Sequence, residues 1–275
     1  MSRKNEAYMP PELVQRVLDH APPDVMLIGG QALAYWMQVY DVGMPADSGA
    51  PAISRDVDLF TPNAANSGPL RQFARALRGR AEISHARSLS ALIGSAVAPA
   101  EDGRVYNVDL LHSVVGLQRD RLEANAVVVS LPGTGKVLRV MHPLDVLQSR
   151  NANLHTLIEK QDETGRLQLR LAIEVARAYL EEQIEAIAQG NEGSEPVRRR
   201  AILDLIGTVS DMSAKDAARK NAERYGIHLA DAIPAWRIES DTFWKKQWPR
   251  LRERMSPEYA DRCEQRARRN SAPRS

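Results

Sequence analysis

Cysteine is almost absent from the chain, and long apolar runs are absent altogether. The single cysteine, Cys263, excludes an internal disulfide framework and a cysteine-based metal cluster, so a reducing cytoplasm is the expected compartment. No apolar run approaches the ~20 residues that a membrane helix needs. The stretch MSRKNEAYMPPELVQRVLDH also lacks the apolar core of a signal peptide. We therefore expect a cytoplasmic protein that has no membrane partner.

The formal net charge of +2 conceals an uneven distribution along the chain. Residues 244–275 carry ten Lys or Arg and four Asp or Glu, a local net charge of +6, whereas residues 1–243 carry a net charge of −4. A basic terminal segment can bind a polyanion, and it can equally be the solvated surface of a terminal helix. Trp244 and Trp248 are four residues apart, which predicts a shared helix face and favours core packing over base stacking.

The pattern of apolar residues changes character near residue 142. Before that point, short apolar runs typical of strands alternate with helical patterns, and after it helical periodicity dominates. We therefore predict an α+β fold, with a mixed-sheet domain over residues 1–142 and a helical domain with a basic tail over 143–275. Pro143 suits the start of a helix. The predicted strands are VMLIG (25–29), SRDVDLF (54–60), VYNVDLLHSV (105–114), AVVVSL (126–131) and VLRVMH (137–142).

Two glycine-rich stretches are candidate phosphate sites. The stretch GTGK (133–136) lacks the spacing of a phosphate-binding loop and lies between two predicted strands, so it predicts a hairpin turn. The stretch LIGGQA instead joins a strand to a helix, which places Gly29 and Gly30 at a helix amino terminus. Unpaired amides and the helix dipole favour a phosphate there, although a tight turn without a ligand also needs glycine.

Three aspartates fall on predicted strands. Side chains alternate along a strand, so Asp56 and Asp58 project from one face, where their like charges repel unless a cation lies between them. Asp109 lies within the apolar stretch VYNVDLL, where an unpartnered acid is costly. If that strand lies beside residues 54–60, the three carboxylates converge near the glycine turn. Oxygen ligands of this kind suit Mg²⁺.

This combination resembles the nucleotidyltransferase superfamily related to DNA polymerase β. The resemblance is carried by LIGGQAL, SRDVDLF and YNVDLL within about residues 25–165, and it is closest to the AbiEii-type branch of bacterial toxin–antitoxin and phage-defence systems. In that branch a Lys with a following Asp forms a further element, for which Lys160 and Asp162 are the candidate counterparts. A solvated helix surface explains Lys160 and Asp162 equally well.

The resemblance implies a magnesium-dependent transfer of a nucleoside monophosphate from a nucleoside triphosphate such as ATP to an RNA (tRNA) or protein acceptor. Asp56, Asp58 and Asp109 would be the metal-binding and catalytic residues. Nucleotide-binding contacts would come from Gly29, Gly30, Ser54 and Lys160, and an antitoxin protein is an implied partner. Two alternatives stay open: a non-catalytic module of the same fold that binds nucleotide, RNA or a protein partner, and a basic-tailed RNA-binding protein.

Overall fold

The chain folds into two units of different composition. The computed structural model describes residues 5–46, 53–85, 90–131, 135–190 and 194–271. One unit comprises Met1–Val39 and Gly43–Ser149, and the other comprises Tyr40–Val42 and Arg150–Ser275. The division falls within the helix that begins at Pro143, where the sequence predicts a helix start. The coarse fold class, α+β with a mixed sheet, is confirmed.

A single mixed sheet of seven strands organises the described part of the first unit. The strand order is β3-β4-β5-β2-β1-β7-β6. The pairs β2–β5 and β1–β7 are parallel, and the other neighbours are antiparallel. In chain order the strands are β1 (Met26–Leu27), β2 (Val57–Phe60), β3 (Arg80–Ile83), β4 (Leu92–Pro99), β5 (Val105–Leu111), β6 (Val127–Ser130) and β7 (Val137–Val140).

Helices accompany the sheet in the first unit and bury its apolar side chains. They are α1 (Pro11–Asp19), α2 (Gly29–Val39), α3 (Gly68–Ala76), α4 (Arg119–Asn125) and the beginning of α5 (Pro143–Thr156). Along α2, Leu33, Trp36 and Met37 are buried at helical spacing, and the Trp36 indole donates a hydrogen bond to Met141 O at 2.8 Å. The apolar residues Val57, Leu59 and Phe60 of β2 are fully buried, which fixes this strand in the centre of the sheet.

The second unit is helical throughout its described residues. Its helices are α6 (Glu163–Gln189), α7 (Glu195–Ala214), α8 (Asp216–Tyr225), α9 (Trp248–Arg252) and α10 (Pro257–Ser271), with 3₁₀ turns at Ile158–Lys160, Leu229–Ala232 and Ala235–Arg237. A π-helical turn, Phe243–Gln247, precedes α9. Trp244 and Trp248 do contact each other, with ring centroids 4.9 Å apart, although the turn between them is not the α helix that their spacing predicts.

Several sequence predictions need correction. The strand predicted at 25–29 contains only Met26–Leu27, because α2 already begins at Gly29. The strands β3 and β4 and the helix α4 were not predicted. The β6–β7 hairpin is present, but residues 132–134 of its predicted turn lie outside the described residues. The polar terminal stretch RRNSAPRS is typical of a disordered end, yet its first four residues continue α10; the other four lie outside the described residues.

Within the described residues, no helix is both long and apolar enough to cross a bilayer.

Candidate metal centre

The register of the sheet brings two aspartates side by side. Strand β2 pairs with β5 in parallel, and Asp58 is directly opposite Asp109. Directly opposed residues of neighbouring strands project from the same face of a sheet, so both carboxylates lie on one side. Asp56 comes immediately before β2, two residues from Asp58, and therefore lies on that side as well.

The three carboxylates form a compact group. One oxygen from each of Asp56, Asp58 and Asp109 can be chosen so that all three lie within 4.8 Å of one another. The three residues are partly buried, so water screens their mutual repulsion only in part. Such a group is unfavourable unless it binds a cation or is held by hydrogen-bond donors.

Neutral donors hold two of these carboxylates in place. The Ser54 hydroxyl donates to Asp56 Oδ1 at 2.7 Å. Asp109 Oδ1 accepts from the Ser95 hydroxyl at 2.6 Å and from Asn107 Nδ2 at 2.8 Å. Hydroxyl and amide donors hold a carboxylate in position without neutralising its charge. These neutral donors therefore orientate the carboxylates and leave their negative charge available to a hard cation.

The glycine turn lies directly against the cluster. Gly29 has φ +70°, and a Cβ at this position would lie 2.7 Å from Asp58 Cβ and would collide with Asp58 Oδ2. Ile28 N–H donates to Asp58 O at 3.0 Å, which ties the start of α2 to β2. Ala32 N–H bonds to Ile28 O, so the amides of residues 29–31 form the amino-terminal end of α2, where no intrahelical acceptor is available. A ligand bound by the carboxylates can therefore lie beside these amides.

The predicted site residues divide between the two units. Asp56, Asp58, Asp109, Gly29 and Ser54 come together in the first unit. Gly30 is buried in the first turn of α2. Lys160 belongs to the second unit, at the end of the 3₁₀ turn Ile158–Lys160.

Asp162, the residue paired with Lys160 in the resemblance, has a local structural role. Its carboxylate accepts a hydrogen bond from Gly165 N–H at 2.8 Å and caps the amino terminus of α6.

Ser95 and Asn107 were missed by sequence reasoning. Asn107 is two residues before Asp109 on β5, so strand alternation alone places both on the same face. Ser95 carries no such signal, because it lies on β4, whose sequence LIGSAVAP has few residues with strong strand preference. The register opposes Ser95 to Asp109 across the β4–β5 pair, and only the structure shows that pairing.

Comparison with known proteins leaves the family open. No protein-family model matches the chain, and no curated protein matches it. The functional assignment therefore depends on the residues and their geometry.

Proposed function

We propose that the first unit is the catalytic domain of a nucleotidyltransferase that requires a divalent cation. The observation that carries the proposal is the group of three carboxylates within 4.8 Å, placed beside a glycine turn at a helix amino terminus. Transfer of a nucleoside monophosphate requires positive charge beside the negatively charged triphosphate, and a proton acceptor near the attacking group. Carboxylates beside open amides can supply both requirements once a cation is bound.

The donor set fits Mg²⁺. All three candidate ligands are carboxylates, and Mg²⁺ prefers hard oxygen ligands and is usually bound by one or more carboxylates together with substrate phosphates. The described residues contribute neither His nor Cys to this group, which argues against a site selected for Zn²⁺. When bound, Mg²⁺ would offset the charge of the phosphates and favour deprotonation of the acceptor group. Asp56, Asp58 and Asp109 would hold it.

The residues around the cluster would orientate the nucleotide. The amides at Gly29 and Gly30 would donate to phosphate oxygens, helped by the positive end of the α2 dipole. Ser54 already bonds to Asp56, so its hydroxyl would position this carboxylate and could contact a phosphate only through a second interaction. Asp109 is the candidate that accepts the proton of the acceptor group, and Ser95 and Asn107, which both donate to its Oδ1, would orientate this carboxylate.

The acceptor and the cellular setting are inferred from the resemblance. A nucleoside triphosphate would be the donor, and a tRNA or protein would be the acceptor. The similarity of the motif sequences to the AbiEii-type branch favours a toxin-like or phage-defence role with an antitoxin partner in the cytoplasm. Lys160, which the resemblance also offers as a nucleotide-binding residue, belongs to the second unit.

Label transfer tests the proposal. The protein is incubated with an α-³²P-labelled nucleoside triphosphate, Mg²⁺ and either total tRNA or protein acceptors. We expect Asp56→Asn and Asp58→Asn each to reduce transfer by at least about a thousandfold, because loss of a charged ligand removes the stabilisation of the phosphoryl charge. The matched control is Asp102→Asn, since Asp102 is an exposed acid of the same unit that pairs with Arg104.

A binding measurement separates a catalytic site from a binding module. Mn²⁺ titration followed by electron paramagnetic resonance should show one or two bound ions in the unaltered protein and weaker binding in both Asn variants. Full transfer activity in the two variants would contradict the proposal. Metal and nucleotide binding without transfer to any acceptor would favour the non-catalytic module instead.

A further inference from the structure

A small cavity in the second unit is lined by aromatic rings and arginines. It encloses about 200 Å³, and its wall includes Trp236, Tyr259, Arg177, Arg262 and Arg266. The three arginines come from α6 and α10; Tyr259 also lies on α10, and Trp236 lies in the 3₁₀ turn Ala235–Arg237. No part of this wall belongs to the carboxylate cluster of the first unit.

The two rings form a fixed surface. Trp236 and Tyr259 are 8% and 2% exposed and meet edge to face, with ring centroids 5.9 Å apart. The Tyr259 hydroxyl donates to Ile233 O at 3.2 Å, which prevents rotation of this side chain. A charged group that stacks on these rings is therefore held at a defined position.

Each of the three arginines stacks on one of the rings. The guanidinium carbons of Arg177 and Arg262 lie 4.5 and 5.4 Å from the centroid of Tyr259, and that of Arg266 lies 4.4 Å from the centroid of Trp236. A guanidinium that stacks through its face keeps the N–H groups at its edge available for in-plane hydrogen bonds. Stacking also lowers the entropy that the side chain loses when a ligand binds.

Two of the three arginines have no acidic partner among the described residues. Arg177 bonds to Glu174 at 2.6 Å and donates to Asp231 O, so its charge and its donors are engaged. The side chains of Arg262 and Arg266 form neither an ion pair nor a hydrogen bond in the part of the chain that the structure describes.

The acidic residues of the cavity do not neutralise Arg262 and Arg266. Glu174 and Glu181 also line it, but each already pairs with another arginine, Arg177 and Arg237 respectively. Arg262 and Arg266 are one helical turn apart on α10, where like charges repel. An anion between their N–H edges would relieve that repulsion and would accept from both.

We propose that Arg262 and Arg266 form a binding site for a phosphate group. Tetrahedral phosphate offers several oxygens, so both guanidinium groups can donate to it at once. Two sources share this chemistry: free pyrophosphate and the phosphodiester backbone of RNA. Arg269 continues the basic face of α10 beyond the cavity, which favours the backbone of an extended polyanion. The site is independent of the proposed function, because it uses residues of the second unit alone.

Pyrophosphate binding, measured by calorimetry in EDTA, tests the site without a contribution from metal in the first unit. The double variant Arg262→Gln/Arg266→Gln is expected to bind pyrophosphate at least about tenfold more weakly, because a single charge-assisted hydrogen bond corresponds to roughly that change in affinity. The control is Lys246→Gln/Arg250→Gln, which removes two exposed positive charges outside the cavity. Equal weakening in the two double variants would overturn the proposal.

Competition distinguishes the two sources. A labelled twelve-nucleotide oligouridylate is titrated in the same buffer at several salt concentrations. If RNA displaces pyrophosphate, and its binding shows a steep salt dependence that flattens in Arg262→Gln/Arg266→Gln, the source is the phosphodiester backbone. If pyrophosphate binds and RNA does not compete, the source is a free phosphate compound. Binding of neither ligand would overturn the proposal.

Chemical protection provides a measurement that needs no variant. Phenylglyoxal modifies arginine side chains, and peptide mass spectrometry reports the modified positions. Pyrophosphate is expected to protect Arg262 and Arg266 at least severalfold in the unaltered protein, while Arg250 and Arg269 keep their rates. Unchanged modification of Arg262 and Arg266 would contradict the site even if the double variant failed to fold.

Discussion

At the scale of single residues, Gly29 meets two constraints that no other amino acid can meet together. Its φ of +70° lies in the left-handed region, and the position of a Cβ is occupied by the side chain of Asp58. Gly103 has a similar φ of +81°, but a Cβ there meets nothing within 4 Å. The two glycines therefore separate the cost of the backbone conformation from the cost of crowding the carboxylates.

Replacing each glycine by alanine is expected to give unequal losses. Gly103→Ala should lower the free energy of unfolding by about 1–2 kcal/mol, the cost of a left-handed alanine. Gly29→Ala should lower it further and should weaken Mn²⁺ binding, because the methyl group displaces Asp58. Urea unfolding measures the first quantity and metal titration the second. Equal stability losses and unchanged metal affinity would show that Gly29 serves the backbone alone.

The aspartates show what sequence can predict at this scale. Strand alternation is a local rule: it predicts that Asp56 and Asp58 share one face, and the same rule would have placed Asn107 beside Asp109. Asp109 lies beside Asp58 only because two strands distant in sequence pair. The sequence alone does not show that pairing. Ser95 was out of reach, because its strand is made of small residues and its contact depends on register.

At the scale of elements, two helix amino termini differ in how they are capped. Asp162 accepts a hydrogen bond from Gly165 N–H at the start of α6. Ser194 occupies the equivalent position before α7, yet its hydroxyl makes no such hydrogen bond. From sequence, Ser194 in the stretch GNEGSEP is a possible cap, whereas the resemblance treats Asp162 as part of a site, because the same residue types serve both purposes.

Alanine substitutions at Asp162 and Ser194 are expected to lower the free energy of unfolding by different amounts. Asp162→Ala should lower the free energy of unfolding by about 1 kcal/mol, the usual cost of losing a cap. Ser194→Ala should change it by no more than a few tenths of that amount, since no cap bond is lost. Urea unfolding of both variants checks this. A loss in Ser194→Ala as large as that in Asp162→Ala would contradict the prediction.

At the scale of the whole molecule, a fall in pH is expected to destabilise the first unit through protonation of His142. Burial lowers the pKa of His142, and Arg121 lowers it further, while Asp145 partly opposes both. His142 Nδ1 also accepts a hydrogen bond from Leu144 N–H at 3.2 Å at the start of α5, which a protonated ring nitrogen cannot do. The folded state therefore favours the neutral imidazole.

The sign of the pH dependence follows from this pKa. Because the pKa is lower in the folded state, the unfolded chain binds more protons, and stability falls as the pH drops below about 6.5 with a slope of at most about 1.4 kcal/mol per pH unit. Hydrogen exchange of first-unit peptides at about pH 7.5 and 5.5, corrected for intrinsic rates, measures the change. His142→Gln should flatten it, and His20→Gln, which alters an exposed histidine, should leave it intact. An unchanged slope in His142→Gln would contradict the prediction.

The shortest strand of the sheet carries a consequence for how the protein is made. Strand β1 contains two residues, yet it joins the pair β2–β5 to the β6–β7 hairpin, with Met26 opposite both Phe60 and Arg139. During synthesis, β2 to β5 can pair as soon as residue 111 has left the ribosome, whereas the parallel partner of β1 is translated later. A nascent chain can therefore gather its three aspartates before its sheet is complete.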